Sequence, residues 1–269
     1  MADTYRIGDI DLYALVRGSG RPLVLLHGFP FDHTMWQAQI EALATHCRVI
    51  APDHRGFGQS GLGKQPLTIE RMADDVAALL EALRVQEPAI ICGLSMGGYV
   101  SLVFHQKYAP RVRALILCDT RPGADTPAGA ADRQALIERV RNKGSVAVVD
   151  DLLPKLLAPM TFDRQPQVVD RVREMMLASP PEGLVAALQG LATRPDTTHH
   201  LRHINVPTLA IVGEHDALTT PAVVAAMADA IPRCRRVVVP GAGHMPPMEN
   251  VSAFNGAVTD FLGQPGMLS

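Results

Sequence analysis

The run Ile90-Ile91-Cys92-Gly93-Leu94-Ser95-Met96-Gly97-Gly98 places a serine between two glycines at the end of an apolar stretch. In a G-x-S-x-G segment of this kind a strand turns sharply into a helix and leaves the serine hydroxyl exposed at the tip. The flanking residues agree with that geometry. Pro88–Cys92 reads as a short buried strand, and Met96–Tyr108 (MGGYVSLVFHQKY) reads as an apolar helix. The turn strains its central residue and demands small neighbours, which Gly93 and Gly97 supply, while Gly98 lets the helix pack close to the sheet. A strand–turn–helix unit calls for a parallel sheet with helices laid over it.

Short β-rich runs alternate with helical runs through the first part of the chain. Leu23–Leu26, Arg48–Ala51, Ala89–Cys92 and Ala114–Cys118 read as buried parallel strands, with helices over Thr34–Thr45, Thr68–Leu83 and Met96–Tyr108 between them. In the second helix Ile69, Met72, Val76, Leu79, Leu80 and Leu83 fall on one stripe. The segment before residue 18 adds two strands that can pair antiparallel at the sheet edge. From Arg121 to His203 the pattern is helical only, broken by Pro127, Pro154, Pro159, Pro166 and Pro180-Pro181. Strands resume at Pro207–Val212 and Arg236–Val239, and Asn250–Leu262 reads as a last helix, followed by a frayed tail, GQPGMLS. The expected organisation is therefore an α/β core of residues 1–120 and 204–269, with a helical insertion, residues 121–203, over the carboxyl ends of the strands.

Composition excludes several classes. A chain of 269 residues with 47% hydrophobic and 19% charged residues has the makeup of a globular protein with one large core. A net charge of −2 provides no basic face for nucleic acid and no polybasic membrane anchor. No stretch is apolar enough for a transmembrane helix, and the N-terminal residues lack a signal-peptide pattern. Cys47, Cys92, Cys118 and Cys234 are far apart and form no CxxC pair, so the expected setting is the reducing cytoplasm.

A serine hydroxyl needs a base to take its proton, and the base needs a third group to hold it. In a fold with this kind of turn the order along the chain is Ser, then acid, then His. The run Thr208–Val212 ends in Gly213-Glu214-His215-Asp216, and Val237–Val239 ends in Pro240-Gly241-Ala242-Gly243-His244. Order and spacing assign Asp216 as the orienting acid and His244 as the base. Asp119, at another strand end, is the main rival for the acid, and Glu214 a weaker one. The oxyanion hole requires two backbone N–H groups. One is expected from Met96, which follows the serine, and the other from Phe29 in the loop His27-Gly28-Phe29-Pro30, since Pro30 has no N–H to give. His27 reads as a brace for that loop.

With these pieces in place the chain resembles the α/β-hydrolase superfamily. The resemblance rests on the HGFP loop, the run Pro52-Asp53-His54-Arg55-Gly56-Phe57-Gly58-Gln59-Ser60, the GLSMGG elbow, the GEHD turn and the GAGH loop. It implies an eight-stranded, mostly parallel sheet flanked by helices, with residues 121–203 as a helical cap. The HGFP loop is also similar to that of epoxide hydrolases and haloalkane dehalogenases, but those relatives use an aspartate where this chain has Ser95. The sequence looks most like small capped serine esterases, including enol-lactonases and cofactor-free perhydrolases. The resemblance implies hydrolysis of small to medium, largely apolar esters or lactones through an acyl-enzyme, with no cofactor, no metal, and neither nucleic acid nor membrane as partner. Perhydrolysis, C–C bond hydrolysis and a ligand receptor on the same fold are the other readings.

Several further features carry expectations. Met160, Phe162, Met175, Met176, Leu177, Leu184, Val185 and Leu188 are candidates to line an apolar pocket, although at helical spacing they also suit a cap core. Phe31 and Trp36 read as packing residues beside the oxyanion loop. His199 and His203 form an i, i+4 pair of the kind that can bind metal, but no carboxylate lies at helical spacing, so a solvated face is expected. Asp53 and Arg55 read as a structural turn that buttresses the oxyanion loop.

Overall fold

The structure, a computed structural model, describes residues 2–268. Met1 and Ser269, the outermost residues of the expected core segments, lie outside the described residues. The strands are β1 (Ala2–Ile7), β2 (Ile10–Arg17), β3 (Pro22–Leu26), β4 (Arg48–Pro52), β5 (Ala89–Leu94), β6 (Val112–Cys118), β7 (Thr208–Gly213) and β8 (Cys234–Val239). They form one sheet in the order β1-β2-β4-β3-β5-β6-β7-β8. β1 and β2 pair antiparallel, as do β2 and β4, and every other pairing is parallel.

The side chains explain the order. β3, β5 and β7 are buried along their whole length, and β6 at every residue but Arg113, as strands covered on both faces must be. β1 and β8, at the edges, carry the exposed positions. The flanking helices are α1 (Gln37–Leu43), α2 (Ile69–Ala82) and α3 (Met96–Tyr108). α2 begins where the Thr68 side chain accepts from the Arg71 N–H, and it buries the stripe Ile69, Met72, Val76, Leu79 and Leu80. The helix expected over Thr34–Thr45 is divided. Asp32 accepts from the Thr34 N–H and starts a 3₁₀ turn, His33–Trp36, before α1 proper.

Between β6 and β7 the chain is helical: α4 (Pro127–Lys143), α5 (Val146–Leu156), α6 (Pro159–Arg164), α7 (Pro166–Ala178), α8 (Pro181–Ala192) and a 3₁₀ turn, Thr198–His203. Proline stands at the first position of α4, α6, α7 and α8, where its missing N–H costs nothing. Four of the prolines that punctuate the sequence here therefore start helices, whereas Pro154 lies inside α5. α9 (Pro221–Asp229), α10 (Pro246–Glu249) and α11 (Val251–Leu262) complete the chain. Phe31 and Trp36 are buried, and Trp36 packs against Phe254 of α11 with ring centroids 6.0 Å apart.

The tail differs from its frayed expectation. Met267 is buried and the Arg113 guanidinium donates to the Gly266 carbonyl, so the tail is anchored at these two residues while Gln264, Pro265 and Leu268 are exposed. The four cysteines are free thiols. No helix among the described residues is long and apolar enough to cross a membrane.

Candidate active site

β5 ends at Leu94 and α3 begins at Met96, so Ser95 alone makes the turn. Its backbone sits at φ 52°, ψ −110°, a conformation that costs roughly 1–3 kcal/mol for a residue with a side chain. The surrounding contacts hold it there. The Ser95 N–H donates to Cys118 O at 2.9 Å, and its carbonyl accepts from the Thr120 hydroxyl at 2.9 Å. The flanking glycines answer a steric demand. A Cβ on Gly97 would lie 2.2 Å from Leu26 O, and one on Gly93 would lie 2.1 Å from Gly97 O. Backbone touches backbone at this corner, and no side chain fits between.

His244 closes the loop after β8. Its Nδ1 lies 2.8 Å from Asp216 Oδ2, at the end of β7. The other Asp216 oxygen accepts from the Leu218 and Thr219 N–H groups at 2.8 and 3.0 Å. The roles of turn residue and histidine partner, which compete in the sequence, are thus divided between two oxygens of one carboxylate. Burial pushes the Asp216 pKa up, but the His244 imidazole and these two N–H donors outweigh it, and the carboxyl stays below its ordinary range. Helix α9 opens at Pro221 with Thr220 before it.

Asp119 sits beside this pair without bonding to the histidine. One of its oxygens accepts from the Gly213 N–H at 2.8 Å, and Oδ2 is buried with no protein partner. Burial, then the charge of Asp216, drive its pKa well above the ordinary value, which favours the neutral form of this carboxyl. Glu214 is exposed and accepts from the Gly241 N–H at 2.9 Å, away from the histidine.

Ser95 and His244 line one cavity of about 150 Å³ together with Phe29, Met96, Tyr99 and Thr219. Its apolar lining comes from Leu152, Leu156, Leu191 and Leu218, and two cations, Arg121 and Arg133, also face it. Among the described residues, neither the Phe29 N–H nor the Met96 N–H has a backbone acceptor. A strained serine, a carboxylate-held histidine and two unclaimed N–H groups on one small cavity are the parts acyl transfer requires.

Comparison with known proteins decides the family. The family model described as alpha/beta hydrolase fold matches residues 21–251. The chain belongs to the α/β-hydrolase family. An esterase from Thermogutta terrifontis, solved with malate bound, is 42% identical and superposes with a TM-score of 0.94, with 97% of this chain and 98% of that one covered. An enol-lactonase from Burkholderia xenovorans is 30% identical with a TM-score of 0.89, covering 96% and 99%. A 3-oxoadipate enol-lactonase from Acinetobacter baylyi is 29% identical over 263 residues, 95% of this chain and 94% of its own. All are enzymes, and so is this hydrolase.

The loops of the hydrolase are held by buried polar groups, some visible in the sequence and some not. His27 accepts from the His54 N–H through Nε2 at 2.9 Å, and its Nδ1 lies 3.0 Å from Gly28 O. Burial lowers its pKa, in keeping with a neutral ring that braces the loop of residues 27–30. Asp53 accepts from the His33 N–H and lies 2.7 Å from His33 Nδ1, tying the same loop from the other side. Arg55 does not share that task. It makes a bidentate pair with Asp75 of α2, both bonds at 2.7 Å.

Glu249, which the sequence reading missed, has a structural part of its own. One of its oxygens accepts from the Gly243 and Met245 N–H groups, at 2.8 and 3.1 Å, on either side of His244. The other accepts from the Ala158 N–H and the Thr161 hydroxyl at 2.7 and 2.6 Å, at the start of α6. The His244 N–H donates in turn to Leu156 O at 2.8 Å. The histidine loop is thus built against the segment between β6 and β7. Glu249→Ala strands four buried donors and is expected to cost about 3 kcal/mol or more, read as a lower urea midpoint at pH 7.

The pocket-lining nominees fare differently from expectation. Met175, Met176, Leu184 and Leu188 are buried core, Phe162 and Leu177 are exposed, and none of the eight nominees, Met160 and Val185 included, lines the cavity at Ser95. The His199–His203 pair lies in a 3₁₀ turn, which breaks the i, i+4 alignment that a helix would give. His200 lies 2.9 Å from His105, so this face is not wholly solvated.

Proposed function

We propose that the chain hydrolyses carboxylic esters or lactones through an acyl-enzyme on Ser95. The observation that carries this reading is the shared cavity: the elbow serine and the Asp216-held His244 open onto one small space. With Nδ1–H donated to Asp216, His244 Nε2 is the basic nitrogen. It takes the Ser95 proton as the oxygen attacks the carbonyl, and Asp216 stabilises the resulting imidazolium. The alkoxide that develops on the substrate is received by the Phe29 and Met96 N–H groups, a contribution of about 10²–10³ in rate per donor. His244 then protonates the leaving alcohol, later takes a proton from the water that attacks the acyl carbonyl, and returns it to the Ser95 oxygen as the acid leaves.

Residues 121–203 act in this reading as a cap. They supply Leu152, Leu156, Leu191, Arg121 and Arg133 to the cavity, so the insertion decides which acyl and alcohol groups fit. The relatives named for esters and enol-lactones support the reaction class.

A fluorophosphonate probe tests the assignment, because it phosphonylates only a serine activated by a base. Intact-mass analysis is expected to show one adduct per chain, located at Ser95 by peptide mapping. No adduct, or an adduct elsewhere, removes Ser95 from the mechanism.

A further inference from the structure

The cavity at Ser95 contains more positive charge than its neighbours neutralise. Arg121, Arg133 and Arg194 all converge on one buried carboxylate, Asp125. Burial raises the Asp125 pKa, but Arg133 and Arg194 overcome it and keep the carboxyl ionised, so one negative charge faces three positive ones. Arg194 has no capacity to spare. It bonds Asp125, the Gly123 carbonyl through Nε and Nη2 at 3.1 and 2.9 Å, and Leu191 O at 3.1 Å, and its guanidinium lies 4.5 Å from the Tyr99 ring centroid.

The other two guanidiniums are different. Arg133 binds Asp125 through Nε and, at 3.5 Å, Nη2. Arg121 reaches it only through Nη2 at 3.4 Å. Nη1 of Arg133 and both Nε and Nη1 of Arg121 have no protein acceptor among the described residues. Both arginines also line an adjoining cavity of about 180 Å³, together with Asp125, Asp132 and Asp151. Asp151 is already paired with Arg139 and Lys155, and Asp132 is exposed; neither lines the cavity at Ser95. A guanidinium with free donors in a small, partly apolar space presents the planar fork that a carboxylate fills.

We infer that the substrate is an anionic ester or lactone, carrying a carboxylate that Arg121 and Arg133 hold while Ser95 attacks its carbonyl. The chemical class is a half-ester of a short dicarboxylic acid or a lactone with a carboxylate arm. The inference rests on Ser95 as nucleophile and replaces the largely apolar substrate that the sequence suggested. The small cavity sets the size: it is below the 300–1,000 Å³ of a drug-sized ligand site, so the chain between the two carbonyl carbons is short. Asp125 positions the arginines and is not itself a substrate contact.

Two p-nitrophenyl esters test the assignment: the mono-p-nitrophenyl ester of adipic acid, an anion at pH 7.5, and its uncharged methyl ester. After correction for spontaneous hydrolysis, wild type is expected to favour the anion in kcat/KM by about 10-fold or more. Arg121→Gln is expected to lower that preference by about 10- to 100-fold, the size of a lost hydrogen bond to a charged group, and Arg121→Lys to keep part of it. The ratio cancels any damage common to both esters. A wild-type preference for the uncharged ester overturns the inference, whether or not the variants fold, and so does a ratio that Arg121→Gln leaves unchanged. If wild type hydrolyses neither ester, the serine-hydrolase reading fails instead, and adipate binding decides the subsite. Thermal stabilisation of wild type but not of Arg121→Gln by adipate supports the site, and absence of stabilisation overturns it.

Discussion

Ser95→Ala is expected to reduce ester turnover by about 10⁴- to 10⁶-fold while leaving the protein folded. The size follows from what the substitution removes. Without the hydroxyl no acyl-enzyme forms, and only substrate binding and the two N–H donors remain to assist direct attack by water. The fold should survive because alanine at φ 52° is no more strained than serine, and the backbone bonds to Cys118, Gly98 and Thr120 do not involve the side chain. Adding His244→Ala to this variant should bring almost no further loss, because a base has no role once its nucleophile is gone. Release of p-nitrophenolate from the acetate ester measures both. Activity above about a tenth of wild type in Ser95→Ala, far over the residual such sites retain, contradicts the mechanism.

The two aspartates near His244 give the second large effect, and it is a contrast. Asp216→Asn is expected to lower kcat by about 10³- to 10⁴-fold, because an amide can present its N–H to the imidazole and favour the wrong tautomer. Asp119→Asn keeps the shape of a side chain that makes no bond to the histidine, so kcat/KM should stay within about tenfold. Equal losses in both variants would mean that the acid is shared and that the assignment to Asp216 is wrong.

Stability should separate the pair as well. The Asp119 pKa is raised in the folded protein above the unfolded value of about 3.9, so between the two values folding takes up a proton there. That uptake weakens the native state progressively as pH rises above the unfolded value toward the raised folded one. Asparagine carries no such penalty, and Asp119→Asn should gain on wild type between about pH 4 and pH 7. Asp216 has the opposite sign. Its depressed folded pKa adds stability above the unfolded value, and this is lost as pH falls through the folded one, so Asp216→Asn forfeits stability at neutral pH. Urea midpoints across that range measure both trends.

The motifs that could be read in the sequence are contiguous ones. Ser95 announces itself because the glycines, the strand and the helix that define an elbow are its immediate neighbours. Phe29, Asp216 and His244 stand at strand ends, where chain order alone narrows the choice. The cavity wall follows a different logic. Leu152, Leu156 and Leu191 belong to helices whose rotation over the sheet is set by packing, and an apolar residue on such a helix looks the same whether it meets the core or a substrate. This is why Met175, Met176 and Leu184 were equally plausible nominees. Asp125 gives no local sign that three arginines will meet on it. Glu249 sits at a helix end with no motif around it, and its importance arises from loops at residues 158 and 243 that only the fold brings together.

The Glu249 carboxylate also bears on how such enzymes could exchange parts. It joins the start of α6 to both sides of His244, so the histidine loop is tied through this carboxylate to the Ala158 N–H and the Thr161 hydroxyl in the segment between β6 and β7. A chimera that received a foreign insertion between β6 and β7 would inherit a new pocket and lose a catalytic support in the same step. A graft that carries the Leu156–Thr161 corner along is expected to keep that support.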